Sequence, residues 1–187
     1  MSGHGHIDPS NKKIALLISV LALILAFSET FGKSAQTSAL SYNIEASNLW
    51  SFFQAKTIRM TTVRTAAEAA ETELKQTTVP AKKALLQEQI DLWKKVAARY
   101  DSEPETQEGR KELAARAKAA EAKRVHAMAA YHHYELASAA LQIAIVLASA
   151  EIITGVAALT WMAGGLGAVG LVFSMIGLFA PMSVHLF

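Results

Sequence analysis

The sequence predicts an all-α integral membrane protein, with three transmembrane helices and a helical hairpin or bundle inserted between the first and second. Apolar residues gather into long runs near both ends of the 187-residue chain, and charges are confined largely to the middle. That middle is rich in Ala, Glu, Lys and Gln, has few strand signals, and carries apolar residues at alternating spacings of three and four, the period of packed helices. The formal charge of +2 is near neutral and gives no argument for nucleic-acid binding, which usually needs a clustered basic surface. Cysteine is absent, which excludes disulfides, thiolate metal sites and cysteine nucleophiles.

Residues 1–12 read as a flexible tail and residues 13–31 as the first span. Lys12 and Lys13 before an apolar run resemble the start of a signal peptide, but Phe27, Ser28 and Glu29 make a poor cleavage site, so the run is taken as a retained span. Residues 32–135 form the extramembrane helical segment. Its first stretch places Leu49, Phe53, Met60, Val63, Ala67, Ala70 and Leu74 on one face. Thr78-Val79-Pro80 then breaks the helix, with Thr78 as N-cap and Pro80 in a first turn. A second stretch carries Leu86, Ile90, Trp93, Ala97 and Tyr100. Ser102 and Glu105 make a capping-box pattern that starts the last stretch, which can run without a break into the second span, residues 136–163. Gly164-Gly165 is read as the membrane turn, and residues 166–187 as the third span, closing a tight hairpin.

Each span carries a row of small residues at three- and four-residue spacing. In the first it is Ala15, Ser19, Ala22, Ala26 and Glu29. In the second it is Ala144, Ala148, Glu151, Gly155 and Ala158, and in the third Ala163, Gly167, Gly170, Ser174, Gly177 and Pro181. Such rows let helices approach closely. They serve either packing within the chain or contact between subunits. Helices in so thin an extramembrane segment cannot each bury a whole face, which favours self-association.

Glu151 lies in the apolar run 136–162 with no basic neighbour in that run. A carboxylate at the centre of a bilayer costs about 2.5–3.5 kcal/mol on insertion scales, so it is expected to face helices, a partner or water. Two roles follow: a protonated group that hydrogen-bonds across a helix seam, or, with Glu29 as a second station, part of a path for protons or small ions in an oligomer.

The basic residues around the spans divide. Lys12 and Lys13 against Lys33 favour a cytoplasmic N-terminus, whereas Arg116, Lys118, Lys123 and Arg124 before the second span favour a cytoplasmic helical segment. The second asymmetry is larger, and the helical segment is placed in the cytoplasm.

At the N-terminus, removal of Met1 would expose Ser2-Gly3-His4. A free amine, two deprotonated amides and an imidazole in third position can enclose Cu(II) or Ni(II) in a square plane, with His6 as a further ligand; a tail that binds nothing is the alternative. His126, His132 and His133 lack the four-residue spacing of a helical zinc pair and suit a juxtamembrane interface better. No hydrolase elbow, phosphate loop or dinucleotide fingerprint occurs, so neither an enzyme nor a resident cofactor is expected.

The stretch around Asn48, Trp50, Phe52, Phe53, Gln54, Ala55 and Lys56 resembles the signature of a family of small bacterial membrane proteins, the domain-of-unknown-function family 4337. The resemblance implies one N-terminal span, a helical middle and a C-terminal hydrophobic pair, in a bacterial inner-membrane setting, and it implies no activity. Read from the residues, Lys56 falls in the apolar row of Leu49, Phe53 and Met60. Its ammonium must snorkel outward or meet a carboxylate. Glu45 lies on a similar face, and a carboxylate on another helix would serve equally. Trp50, Phe52 and Phe53 spread around the helix, so one face cannot bury all three. Asn48, Trp50, Phe53, Gln54 and Lys56 are therefore either a polar registry device in a bundle or a site for an anionic ligand. The functional expectation is a homo-oligomeric bacterial inner-membrane protein with a structural or accessory role, in contact with lipid, with itself and with a larger membrane complex. Proton or small-ion conduction through Glu151 is the alternative.

Overall fold

A computed structural model describes residues 9–184. Four helices follow one another: α1 (Pro9–Gln76), α2 (Pro80–Asp101), α3 (Arg110–Thr154) and α4 (Ala158–Phe179), with no strand among the described residues. Three of them, α1, α3 and α4, are long and apolar enough to cross a membrane. Pro9 opens α1 inside the stretch expected to be a tail. Proline suits a first helical turn, where its missing N–H would have no partner anyway.

The chain divides into two compact units. The membrane unit contains α1 up to Leu40, α3 from Lys123 onward, and α4. Here α1 and α4 each run antiparallel to α3. Ile14 packs with Ala148 and Ala163, and Leu21 with Leu141 and Ala144. The α4 row is consumed by this packing: Ala163, Gly167, Gly170, Gly177 and Pro181 are buried and Ser174 is half-buried. Of the second row, Ala144 and Ala148 on α3 are buried, whereas Gly155, past its end, and Ala158, the first residue of α4, are exposed. The α1 row is different. Ala15, Ser19, Ala22, Ala26 and Glu29 are all exposed, because α1 buries the face of Ile14, Leu21 and Ser28 instead.

The membrane turn is not at Gly164-Gly165. Helix α3 ends at Thr154, Gly155 takes φ 69°, and α4 starts at Ala158. A positive φ is open to glycine at no steric cost, so Gly155 is the residue that can reverse the chain. Gly164 and Gly165 are absorbed into α4, since backbone in lipid must keep its helical hydrogen bonds and their open side meets nothing within 4 Å. The last membrane helix thus begins well before the expected residue 166, and the apolar run 136–162 is two helices rather than one.

The extramembrane unit, Ser41–Ala122, has α2 and then α3 packed in series along α1. Glu73 pairs with Lys82 at 2.6 Å and Glu71 with Lys94 at 2.6 Å, which aligns α2 antiparallel to α1. Beyond the junction, Leu49 packs on Leu113 and Ala117, flanked by Trp50 and Phe53. The apolar positions read from the sequence face this seam, with Leu49, Met60, Ala67, Ala70, Ile90 and Ala97 buried. Two cap expectations are corrected. Val79, not Thr78, is the N-cap of α2, with Pro80 taking the first turn. Ser102 does not cap a helix with Glu105: it ends α2, and α3 starts only at Arg110.

Candidate functional site

The densest set of charged and aromatic contacts surrounds the α2–α3 junction, residues 102–109, where it crosses α1. Lys56 is buried there. Its ammonium stands 3.7 Å from Glu103 and 3.8 Å from Glu108, and 5.4 and 5.5 Å from the ring centres of Phe52 and Tyr100. Two carboxylates neutralise the charge and two aromatic faces complete its surroundings. Neither carboxylate is Glu45, which is exposed. The carboxylates occupy the place that an anionic ligand of Lys56 would need.

Arg110, the first residue of α3, closes the other side. Its guanidinium donates to Thr57 Oγ1 at 2.9 Å and Asp101 Oδ1 at 3.2 Å, and lies 5.0 Å from the Phe53 ring centre. Glu112 accepts from Ser102 Oγ at 2.7 Å and from the Glu103 N–H at 3.1 Å, so the start of α3 holds the end of α2. These bonds hold the Glu112 carboxyl below the usual carboxylate range. Asp101 is lowered as well, chiefly by its hydrogen bond from Lys111, with Arg110 and Arg64 adding favourable charge. Gly109 makes the closure sterically feasible: a Cβ there would fall 2.4 Å from the Glu103 nitrogen and 2.6 Å from the Ser102 Cα. Further along, Trp50 Nε1 donates to Glu121 at 2.8 Å, and its ring meets Phe53 edge-on at 5.4 Å.

The motif residues therefore separate. Phe53 and Lys56 meet at the junction and Trp50 meets α3 beyond it, while Asn48 and Gln54 are exposed. Sequence reasoning did not identify Asp101, Glu103, Glu108, Gly109, Arg110 and Glu112. The available signal was the density of both charge signs around Pro104 and Gly109.

In the membrane unit Glu151 lies three residues from the end of α3, close to the turn and not at mid-span. Its Oε2 is buried with no partner, as is Thr160 Oγ1. Stepping from the Ala148–Ala163 layer by three residues on each helix brings Glu151 and Thr160 to the same level. Glu29 is elsewhere: it accepts from Gln142 Nε2 at 3.1 Å, nine residues and about 13 Å back along α3. The two carboxylates are not brought together. Ser28 and Ser174 share a hydrogen bond of 2.7 Å between α1 and α4. His133 is buried, with Nε2 3.1 Å from the Pro181 carbonyl oxygen and its ring stacked on Phe173. His132 faces Glu135 at 3.5 Å instead. No group of metal-ligating side chains is found among the described residues, and His4 and His6 lie outside them.

Three apolar helices joined to a charged helical unit define a membrane protein of the all-α class. The chain belongs to the family described as Domain of unknown function (DUF4337), whose model matches residues 10–180 and so takes in both units. No curated protein and no solved structure matches it.

Proposed function

We propose that this chain is a homo-oligomeric bacterial inner-membrane protein with a structural or accessory role, as a scaffold or complex subunit, and with no catalytic step of its own. The observation that carries this reading is the uncovered row on α1. The glycine row of α4 is spent on packing inside the chain, whereas Ala15, Ser19, Ala22 and Ala26 remain exposed. Small residues in lipid gain little from acyl chains and more from a second helix at close range. The extramembrane unit lies in the cytoplasm, a placement supported by Arg116, Lys118, Lys123 and Arg124. Native mass spectrometry in mild detergent tests the proposal. A defined multimer is expected; a stable monomer would refute it, and a complex with other proteins would identify an accessory subunit.

Proton or small-ion conduction is the second reading, favoured by the buried, unpartnered Oε2 of Glu151. Its site near the turn supplies one end of a path rather than a central station. Liposomes holding a pH-sensitive dye should leak protons with the wild type and not with Glu151→Gln. Equal, background-level leak from both would end this reading. Copper or nickel capture by Ser2-Gly3-His4, with His6, is a separate property, read out as a Cu(II) absorption band that disappears in His4→Ala.

A further inference from the structure

Within the extramembrane unit α1 presents a second heptad row on the side away from α2 and α3. Residues seven apart from Ile44 to Thr72 are Ile, Ser, Ile, Thr and Thr. Those seven apart from Asn48 to Gln76 are Asn, Ala, Thr, Ala and Gln. Interleaved, they repeat at four and three, a period of 3.5 that suits a left-handed helix pair. All ten are exposed, Ile44 at 53% and Ile58 at 67%. Every charged side chain that α1 carries in this unit lies off the row. A face meant only for water has no reason to exclude Lys and Glu over nine turns while displaying two isoleucines.

The chemistry of the row selects its occupant. Copies of one membrane protein stand in the bilayer in the same orientation, so α1 would meet α1 in parallel and like residues would face each other. An uncharged row permits this without repulsion. The exposed face of α2 carries Glu88, Lys95 and Arg99, where a parallel contact would set like charges together. A carboxamide both donates and accepts, so Asn48 can pair with its own copy, whereas the Ser51 and Thr62 hydroxyls donate to the Ser47 and Ile58 carbonyls of their own helix. A single Asn in such a seam fixes register and strand number. That accounts for Asn48, a motif residue that is exposed in its own chain. The uncovered row of the membrane unit, also on α1, keeps the same spacing of three and four.

We infer that the row running from Ile44 to Gln76 is the α1–α1 contact of a parallel assembly of identical chains, with Asn48 as its registry residue. The inference rests on the homo-oligomeric reading and names its extramembrane interface. The natural absence of cysteine allows a clean test in the full-length protein reconstituted in liposomes. Ser51→Cys, Ile58→Cys and Thr65→Cys should form disulfide dimers under mild oxidation about tenfold faster than Arg59→Cys or Lys95→Cys, because bridging needs closely apposed Cβ atoms. Equal rates on and off the row, with the wild type still multimeric by native mass, would overturn this interface and leave the oligomer standing. A monomeric wild type would overturn both. Asn48→Val should keep the cross-links but shift or broaden the stoichiometry; one unchanged stoichiometry would remove the registry role.

Discussion

In the membrane unit the α4 row of Ala163, Gly167, Gly170 and Gly177 lies buried in the packing of the three helices, whereas the α1 row of Ala15, Ser19, Ala22 and Ala26 remains exposed. The difference follows from glycine. A Cβ built at Gly170 would fall 2.6 Å from Leu141 Cγ and 3.0 Å from the Ala137 carbonyl oxygen, so α3 sits closer than an alanine row would allow. Ala22 and Ala26 already carry that methyl, and the closest approach on their side remains unused. One chain thus contains a row that closes it and a row that it leaves exposed.

Substitutions can break this contrast unequally. Gly170→Leu should be the most damaging, since the side chain must displace Leu141 or part α4 from α3; overpacking of this kind costs about 3 kcal/mol. The check is unfolding of the detergent-solubilised protein by a harsher detergent, and wild-type resistance would mean that the α3–α4 contact is not as close as described. Lys56→Ala should follow, at about 2 kcal/mol. This is below the range for breaking a fully buried pair because Glu108 is half exposed and can be rehydrated. Hydrogen exchange should show the loss at residues 102–109 with α4 unaffected. A uniform change across the chain would contradict a local role for Lys56 at the junction.

Acidification should act on the same junction more weakly. Asp101 and Glu112 are both held below the ordinary carboxylate range. A depressed native-state pKa contributes stability above the unfolded value, and that stability is lost as pH falls through the native value. Protection at residues 102–109, corrected for intrinsic exchange, should therefore decline only below about pH 4. Protection that stays level down to about pH 2 would show that these carboxylates do not hold the junction. Smallest of all should be the effect of Ala22→Leu on the stability of the chain itself, within about 0.5 kcal/mol for an exposed site. Its effect on the native mass should be large, shifting the proposed multimer toward monomer. A destabilised chain would mean that the α1 row is packed after all.

The helices were legible because periodicity persists for many turns: the apolar positions from Leu49 to Ala97 identified the seam that α1 shares with α2 and α3. The membrane turn was not. Paired glycines looked like a stronger break than Gly155, but propensity measured in water has little force where the backbone must remain hydrogen-bonded in lipid. The need of Lys56 for a carboxylate could be read from its place in an apolar row. Its partners could not, since Glu103 and Glu108 arrive from a junction that only the packed helices bring near. The rows of small residues were equally visible, and which of them the chain consumes depends on how three helices are arranged around one another.

The most direct test of the contrast is a cysteine scan of α1 in the bilayer, comparing Ser19→Cys, Ala22→Cys and Ala26→Cys with Val20→Cys, Leu23→Cys and Phe27→Cys on the neighbouring exposed face. Oxidation in liposomes should give disulfide dimers that recur every three or four residues, from the small row and not from the large apolar side chains. Dimers from the large-residue face alone, or none from either in a protein that folds normally, would contradict the account.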